Sequence, residues 1–245
     1  MEIIVRVALI GAAWLGVLAP PVTGTGHPRV ALVFEHAGAS LAELTPIYAM
    51  HEPFGLGIFP HMRYSAEIAR TAAAHGLTPM LHLPLEPLHP ADLGPVTGTV
   101  WVRMTDAQIT RVVEQDLASV SGVVGVSNHA GSRATADRRV MAAVLRAVKA
   151  RALWFNENPE IPDSVVPEVA RQVGVPIVVT MTYLDIPPDR TVEKIRALIA
   201  TAKQQGSAVA AAHIATGAPE VVRRMLPEFR RAGIVFAPIT QFLVR

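Results

Sequence analysis

The chain has 245 residues, 51% of them hydrophobic and 17% charged, with a formal net charge of +2 and no cysteine. This composition excludes a disordered chain, a disulfide-stapled scaffold, thiolate metal ligation and a cysteine nucleophile. The arginines are scattered along helical stretches and the chain has only three Tyr and three Trp, so no nucleic-acid-binding stripe is expected.

The N-terminus comes first in chain order. Val7–Ala19 carries no charge, follows Arg6 and precedes Pro20 and Pro21. That is the length of a signal-peptide core and falls short of the ~20 residues of a stable membrane span. Residues 1–26 are therefore read as a signal peptide or an N-terminal membrane anchor, with a buried first strand as the competing reading. Either membrane reading makes the chain exported, periplasmic or held at the inner membrane by this segment. No partner protein is identifiable.

From Pro28 onward, short β-branched runs alternate with longer amphipathic ones. Strands are expected at Val30–Phe34, Phe54–Phe59, Thr78–Leu83, Val123–Val126, Leu153–Phe155, Pro176–Val179, Ala208–Ala212 and Ile234–Ala237. Helices fall between them at Ser65–His75, Thr105–Val120, Thr135–Ala150, Ser164–Val173, Thr191–Gln205 and Ala218–Ala232. Gly76, Gly174, Gly206 and Gly233 each follow a helix as stop signals. Near-continuous apolar runs mark parallel strands buried on both faces. Residues 28–245 thus predict a single α/β domain, a distorted (β/α) barrel of about seven to eight parallel strands, with an open doubly wound sheet as the alternative. The Pro- and Gly-rich stretch Pro84–Val102 reads as a loop over a site. Ser132 reads as a cap for the helix near Thr135.

Polar residues gather at the C-terminal ends of the expected strands. Glu35 and His36 follow the first, His61 the second, His82 closes the third, and Asn128 and His129 follow the fourth. Asn156 and Glu157 follow the fifth, Asp185 lies after the sixth, and His213 closes the seventh. In parallel α/β folds this edge carries the active site. His27, His51, His75 and His89 read as surface, and His61 is ambiguous. Neutral imidazoles suit zinc and similar divalent ions, and three protein ligands leave one coordination position open. His36, His82 and His129 are the candidate ligands, Glu35 the candidate base and His213 the candidate acid. Asn128, Glu157, Asp185 and His61 are the candidate substrate-binding residues. Elbow, phosphate-loop and His-Glu-x-x-His motifs are missing from the sequence.

Two segments carry a resemblance. Leu81-His82-Leu83-Pro84-Leu85-Glu86-Pro87 and Gly125-Val126-Ser127-Asn128-His129-Ala130-Gly131-Ser132 are similar to the LHLPMEP and GVNNHMGS segments of the divergent polysaccharide deacetylase family. Ala212-His213 is a weaker match to that family's Gly-His-Pro, and the similarity runs from about Val30 to the C-terminus. The resemblance implies a distorted barrel, a divalent metal (zinc, with cobalt or manganese as alternatives) and hydrolysis of N- or O-acetyl groups on a polysaccharide or oligosaccharide. It places His82 and His129 at metal-binding histidines and sets Glu35-His36 where the family has an Asp-Asp pair. Departures also fall at Glu157-Asn158-Pro159, in place of Asp-Ser-Arg, and at Thr180-Met181, in place of Arg-Asp. Each loses an arginine that could hold an anion in two places. The expected function is metal-dependent deacetylation of a cell-envelope or exported polysaccharide. The alternative is a barrel that binds a glycan or a partner protein without turnover.

The apolar N-terminal segment suits lipid better than a core. Deleting residues 1–26 is expected to leave a soluble protein that melts cooperatively; aggregation of the truncated chain would place the segment in the core.

Overall fold

A computed structural model describes residues 26–244. The signal or anchor segment, Gly26 apart, lies outside the described residues. Among them no helix is long and apolar enough to cross a membrane. In chain order the elements are β1 (Arg29–Ala37), α1 (Thr45–Tyr48), β2 (Gly55–Ile58), α2 (Ser65–Thr71), β3 (Thr78–Leu85), α3 (Asp106–Ser119), β4 (Gly125–Ala130) and α4 (Arg138–Ala150). They continue with β5 (Trp154–Glu157), α5 (Val166–Val173), β6 (Ile177–Val179), β7 (Thr182–Tyr183), α6 (Thr191–Gln205), β8 (Ser207–His213), α7 (Ala218–Arg231) and β9 (Val235–Phe236).

The strands pair in parallel in the order β6-β5-β4-β3-β2-β1-β8-β7. The order never reverses as a doubly wound sheet requires; it runs around a circle. β9 takes Arg29 and Val30 on β1, and β2 takes the same edge from Val33 onward. The two end strands, β6 and β7, are consecutive in the chain and separated only by Thr180 and Met181. The Thr180 N–H donates to Glu157 O at 2.8 Å and the Met181 N–H to Val209 O at 3.0 Å. The chain itself crosses the seam of a distorted (β/α) barrel.

Alternation along each strand builds two cores. Val30, Leu32 and Phe34 of β1 face outward and belong to one large apolar cluster shared with the surrounding helices, in which the Phe34 ring meets that of Phe54 edge-on. Ala31 and Val33 face inward with Met80, Trp154, Val178, Val209 and Ala211. A 3₁₀ turn at Ile239–Phe242 adds Ile239 to this inner core. Val244 bridges to Ile177 and Arg29 donates to Gln241, so the C-terminal segment closes the N-terminal mouth of the barrel.

Several boundaries differ from the sequence reading, for local reasons. β1 runs on to Ala37, β4 to Ala130 and β5 to Glu157, so Glu35, His36, Asn128, His129, Asn156 and Glu157 lie within strands and not beyond them, while His82 lies inside β3 as expected. Pro84 has no N–H to place, and its carbonyl accepts the Val100 N–H at 2.9 Å. Helix α4 starts at Arg138, because Asp137 accepts the Val140 N–H and caps it there. Ser132 caps no helix; its hydroxyl accepts the Leu88 N–H at 2.9 Å. The short elements α1 and β7 are not marked by any apolar period in the sequence.

The interior is narrow. A Cβ on Gly125 would lie 2.5 Å from the Trp154 ring, and one on Gly55 2.9 Å from Val33 Cγ2. Gly125→Ala is therefore expected to destabilise the fold by about 1–3 kcal/mol through overpacking, measured by urea unfolding. Unchanged stability would show that Trp154 yields freely.

Candidate functional site

The upper interior is polar where the lower interior is apolar. Glu35 on β1 and His82 on β3 flank Gly57 on β2, where a Cβ would stand 3.3 Å from Glu35 Cγ and 3.4 Å from the His82 ring. The missing side chain leaves the space in which the two approach, with Glu35 Oε2 3.8 Å from His82 Nε2. His82 Nδ1 meets Ser127 Oγ of β4 at 2.8 Å. His36 and Ala130, at or near the ends of β1 and β4, adopt left-handed backbones with φ of 75° and 52°. For residues other than glycine that conformation is uncommon and clusters at functional sites.

His36, His82 and His129 converge. One ring nitrogen from each lies within 4.8 Å of the others. His36 Nε2 and His129 Nδ1 are 3.2 Å apart, close to the ~3.3 Å between two nitrogens on tetrahedral directions ~2.0 Å from one ion. The second nitrogen of His129 meets Leu93 O at 3.0 Å, a bond that fixes the orientation of the ring, as such bonds do for metal-binding histidines. Leu93 belongs to the Pro84–Val102 stretch, so that segment reaches over the site.

Burial first, then the charges of His213 and His129, lower His36 to about 3. Burial and the neighbouring histidines likewise hold His82 well below the usual range. His129 is lowered by burial, against the opposing bond to Leu93 O. All three rings are thus neutral and offer lone pairs, the form that binds metal. His82 Nε2 is buried and has no hydrogen-bond partner among the described residues, a costly arrangement unless something else engages it. The donor set fits a divalent ion.

Glu35 is fully buried. Asn158 Nδ2 donates to its Oε1 at 2.6 Å and the Tyr183 hydroxyl to its Oε2 at 3.1 Å. Burial raises it to about 7, against the lowering influence of His213, Asn158 and Tyr183. Across the β1–β8 pairing lies His213, whose ring stacks on Tyr183 and stands 4.4 Å from that of His36. Asp185 Oδ2 accepts from the His213 N–H at 2.9 Å and from Thr216 Oγ1 at 2.6 Å, and meets His213 Nδ1 at 3.1 Å. Nδ1 is thereby occupied and Nε2 is left to exchange a proton. Burial works to lower His213, but the Asp185 bond and charge outweigh it and the net shift is upward.

Residues 32–243 match the family described as divergent polysaccharide deacetylase. The chain belongs to this family. A protein of Haemophilus influenzae is 27% identical over 187 residues, covering 76% of this chain and 66% of that one. The chain therefore spans about two thirds of that relative's length. A crystal structure of an Agrobacterium tumefaciens protein superposes with a TM-score of 0.81 at 20% identity, covering 90% of this chain and 91% of that one. The catalytic domain of a peptidoglycan N-acetylglucosamine deacetylase from Eubacterium rectale superposes with a TM-score of 0.50 at 14% identity, covering 88% and 90%. Both structures share the fold.

Of the residues nominated from the sequence, Glu35, His36, His82, His129, His213 and Asp185 lie together. Asn128 is buried beside them and engages another strand loop: its Oδ1 accepts the Asn158 N–H at 2.8 Å and its Nδ2 donates to Ala130 O and Asn158 O. Glu157 is buried, accepts from the Ser164 hydroxyl, and is raised by burial to about 7. His61 is turned to α3, where its Nε2 lies 2.7 Å from Asp116 Oδ1. The residues that hold Glu35 and His82, namely Asn158, Tyr183 and Ser127, escape a sequence reading that looks for histidines and carboxylates. The signals the sequence offers are positional: Asn158 lies in the Glu157-Asn158-Pro159 departure and Ser127 in the segment 125–132.

His213 is expected to titrate above the usual histidine value of about 6.5, and Asp185→Asn to lower it, as followed by histidine NMR. Because the folded value is the higher one, the stability from this pair is complete below the ordinary value and is lost as pH rises through the folded one. A His213 that titrates at or below the ordinary value in the parent chain would refute the pairing.

Proposed function

We propose that the chain is a metal-dependent hydrolase that removes acetyl groups from an exported or cell-envelope polysaccharide. The observation that carries this reading is the convergence of three neutral imidazoles beside a buried carboxylate and an aspartate-oriented histidine. His36, His82 and His129 would hold the ion, zinc in the first instance, with cobalt or manganese as alternatives. When bound, such an ion supplies Lewis acidity to the acetyl carbonyl and to water.

The chain's own groups divide the proton work. Glu35, raised to about 7 by burial, accepts a proton at a carboxylate oxygen near neutral pH, the range where a general base is most effective. Asn158 and Tyr183 hold that carboxylate from two sides and so fix where the proton is taken. His213, kept protonated to higher pH by Asp185, donates from Nε2 to the departing nitrogen or oxygen. Leu93 and its segment limit water at the mouth. The similarity to a peptidoglycan N-acetylglucosamine deacetylase supports an acetylated amino-sugar polymer as the substrate class. The apolar run Val7–Ala19 supports export, to the periplasm or to the inner-membrane surface.

One observation favours a second reading. Glu35 is fully buried with both oxygens engaged, and positions 159 and 180 carry Pro and Thr where the family has arginines. A barrel of this kind could bind an acetylated glycan without turnover.

Acetate release from acetylated amino-sugar oligomers, with zinc, cobalt or manganese added, separates the two. Glu35→Gln is expected to keep fold and metal and to lose about 10²-fold or more in rate. His82→Ala is expected to lose the metal itself. Equal inactivity of the parent and both variants, with oligomer binding intact in the parent, would establish the binding-only reading.

A further inference from the structure

One large buried aromatic belongs to neither apolar core. Phe59, 6% exposed, lies just past β2 and is absent from both the outer and the inner hydrophobic clusters. Its neighbours are the three imidazoles. The ring centroid is 4.8 Å from His36 at 28°, 4.8 Å from His129 at 90° and 5.1 Å from His82 at 48°. The imidazoles stand 5.3, 4.8 and 5.1 Å from one another. The four rings therefore sit at the corners of a nearly regular tetrahedron. The Phe59 N–H donates to Ala37 O at 2.9 Å, which ties the aromatic to the strand end that carries His36.

We propose that Phe59 is a positioning residue for the metal ligands: it holds the three imidazoles converged and closes one side of the site to water. The inference rests on the metal reading above. A phenyl ring has neither a donor nor a lone pair to compete for the ring nitrogens. It fills the space into which an imidazole could rotate or a water could enter. An apolar wall of this kind governs solvent access and dielectric at a metal site. His36 has most need of it, because its left-handed backbone keeps its ring in place only while the surroundings hold it.

The test measures zinc affinity of the full chain by competition with a chromophoric chelator, and the visible spectrum of the cobalt form. Phe59→Ala is expected to weaken zinc binding 10–100-fold, the usual scale for groups that support ligands from outside. Its cobalt band is expected to lose intensity as water raises the coordination number. Phe59→Leu is expected to fall between the parent and Phe59→Ala, and it decides the matter if Phe59→Ala fails to melt cooperatively. Parent-like affinity and spectrum in the folded Phe59 variants would overturn the inference and leave the metal reading standing. A parent chain that binds zinc no better than His82→Ala would overturn both.

Discussion

The width of the barrel interior governs the rest of the molecule. A parallel sheet curled this tightly has room for large side chains from alternate strands only, and the chain obeys that limit at two levels. In the lower layer Gly55 and Gly125 give way to Val33, Met80 and Trp154. In the upper layer Gly57 and Ser127, on β2 and β4, give way to Glu35, His82 and Asn156 on β1, β3 and β5. The same alternation that packs an apolar plug at one end thus presses ionisable groups together at the other. No loop is needed to bring Glu35 to His82; the pleat and the glycine between them suffice.

Crowding decides the electrostatics as well. Moving an ionised group out of water is costly, and like charges in one cavity add to the cost. Three imidazoles meet the constraint by staying neutral, and a buried carboxylate meets it by an elevated proton affinity. His213 is the exception because Asp185 and Thr216 form a local polar nest about it. The result is a graded set: three neutral imidazoles and a carboxylate of raised proton affinity beside one histidine that holds its proton more tightly. Asn158 contributes in the same sense. A neutral amide steadies Glu35 without the strong lowering that an arginine would bring.

Much of this is legible in the sequence, and the remainder fails to register for identifiable reasons. Long apolar runs, glycine stops and amphipathic stretches are local signals, and they give the strand–helix succession and the barrel. Polar residues that interrupt such runs, as Glu35-His36, His82 and Asn128-His129 do, stand out because burial makes them costly. Their place inside the strands does not, since a barrel mouth can keep polar residues in the sheet and the sequence reads them as strand ends. The two-residue strand β7 is too short for any period. Phe59 looks like one more apolar residue until its neighbours are known. His61 carries the same local signal as His82, a histidine after an apolar run, and only the path of α3 sends it to Asp116.

The left-handed backbone at His36 has an evolutionary corollary. That conformation is open to few residue types besides glycine, and asparagine, aspartate and histidine are the most frequent among them. Aspartate and histidine codons differ by a single base. Exchange between aspartate and histidine at position 36 can therefore occur in one mutational step that the scaffold does not resist. A lineage can pass from a carboxylate to an imidazole at this position, changing the charge of the His36–His82–His129 cluster by one, while every strand stays where it was. Variation among homologues at this position would then record selection on the chemistry of the cluster, unmasked by selection on folding.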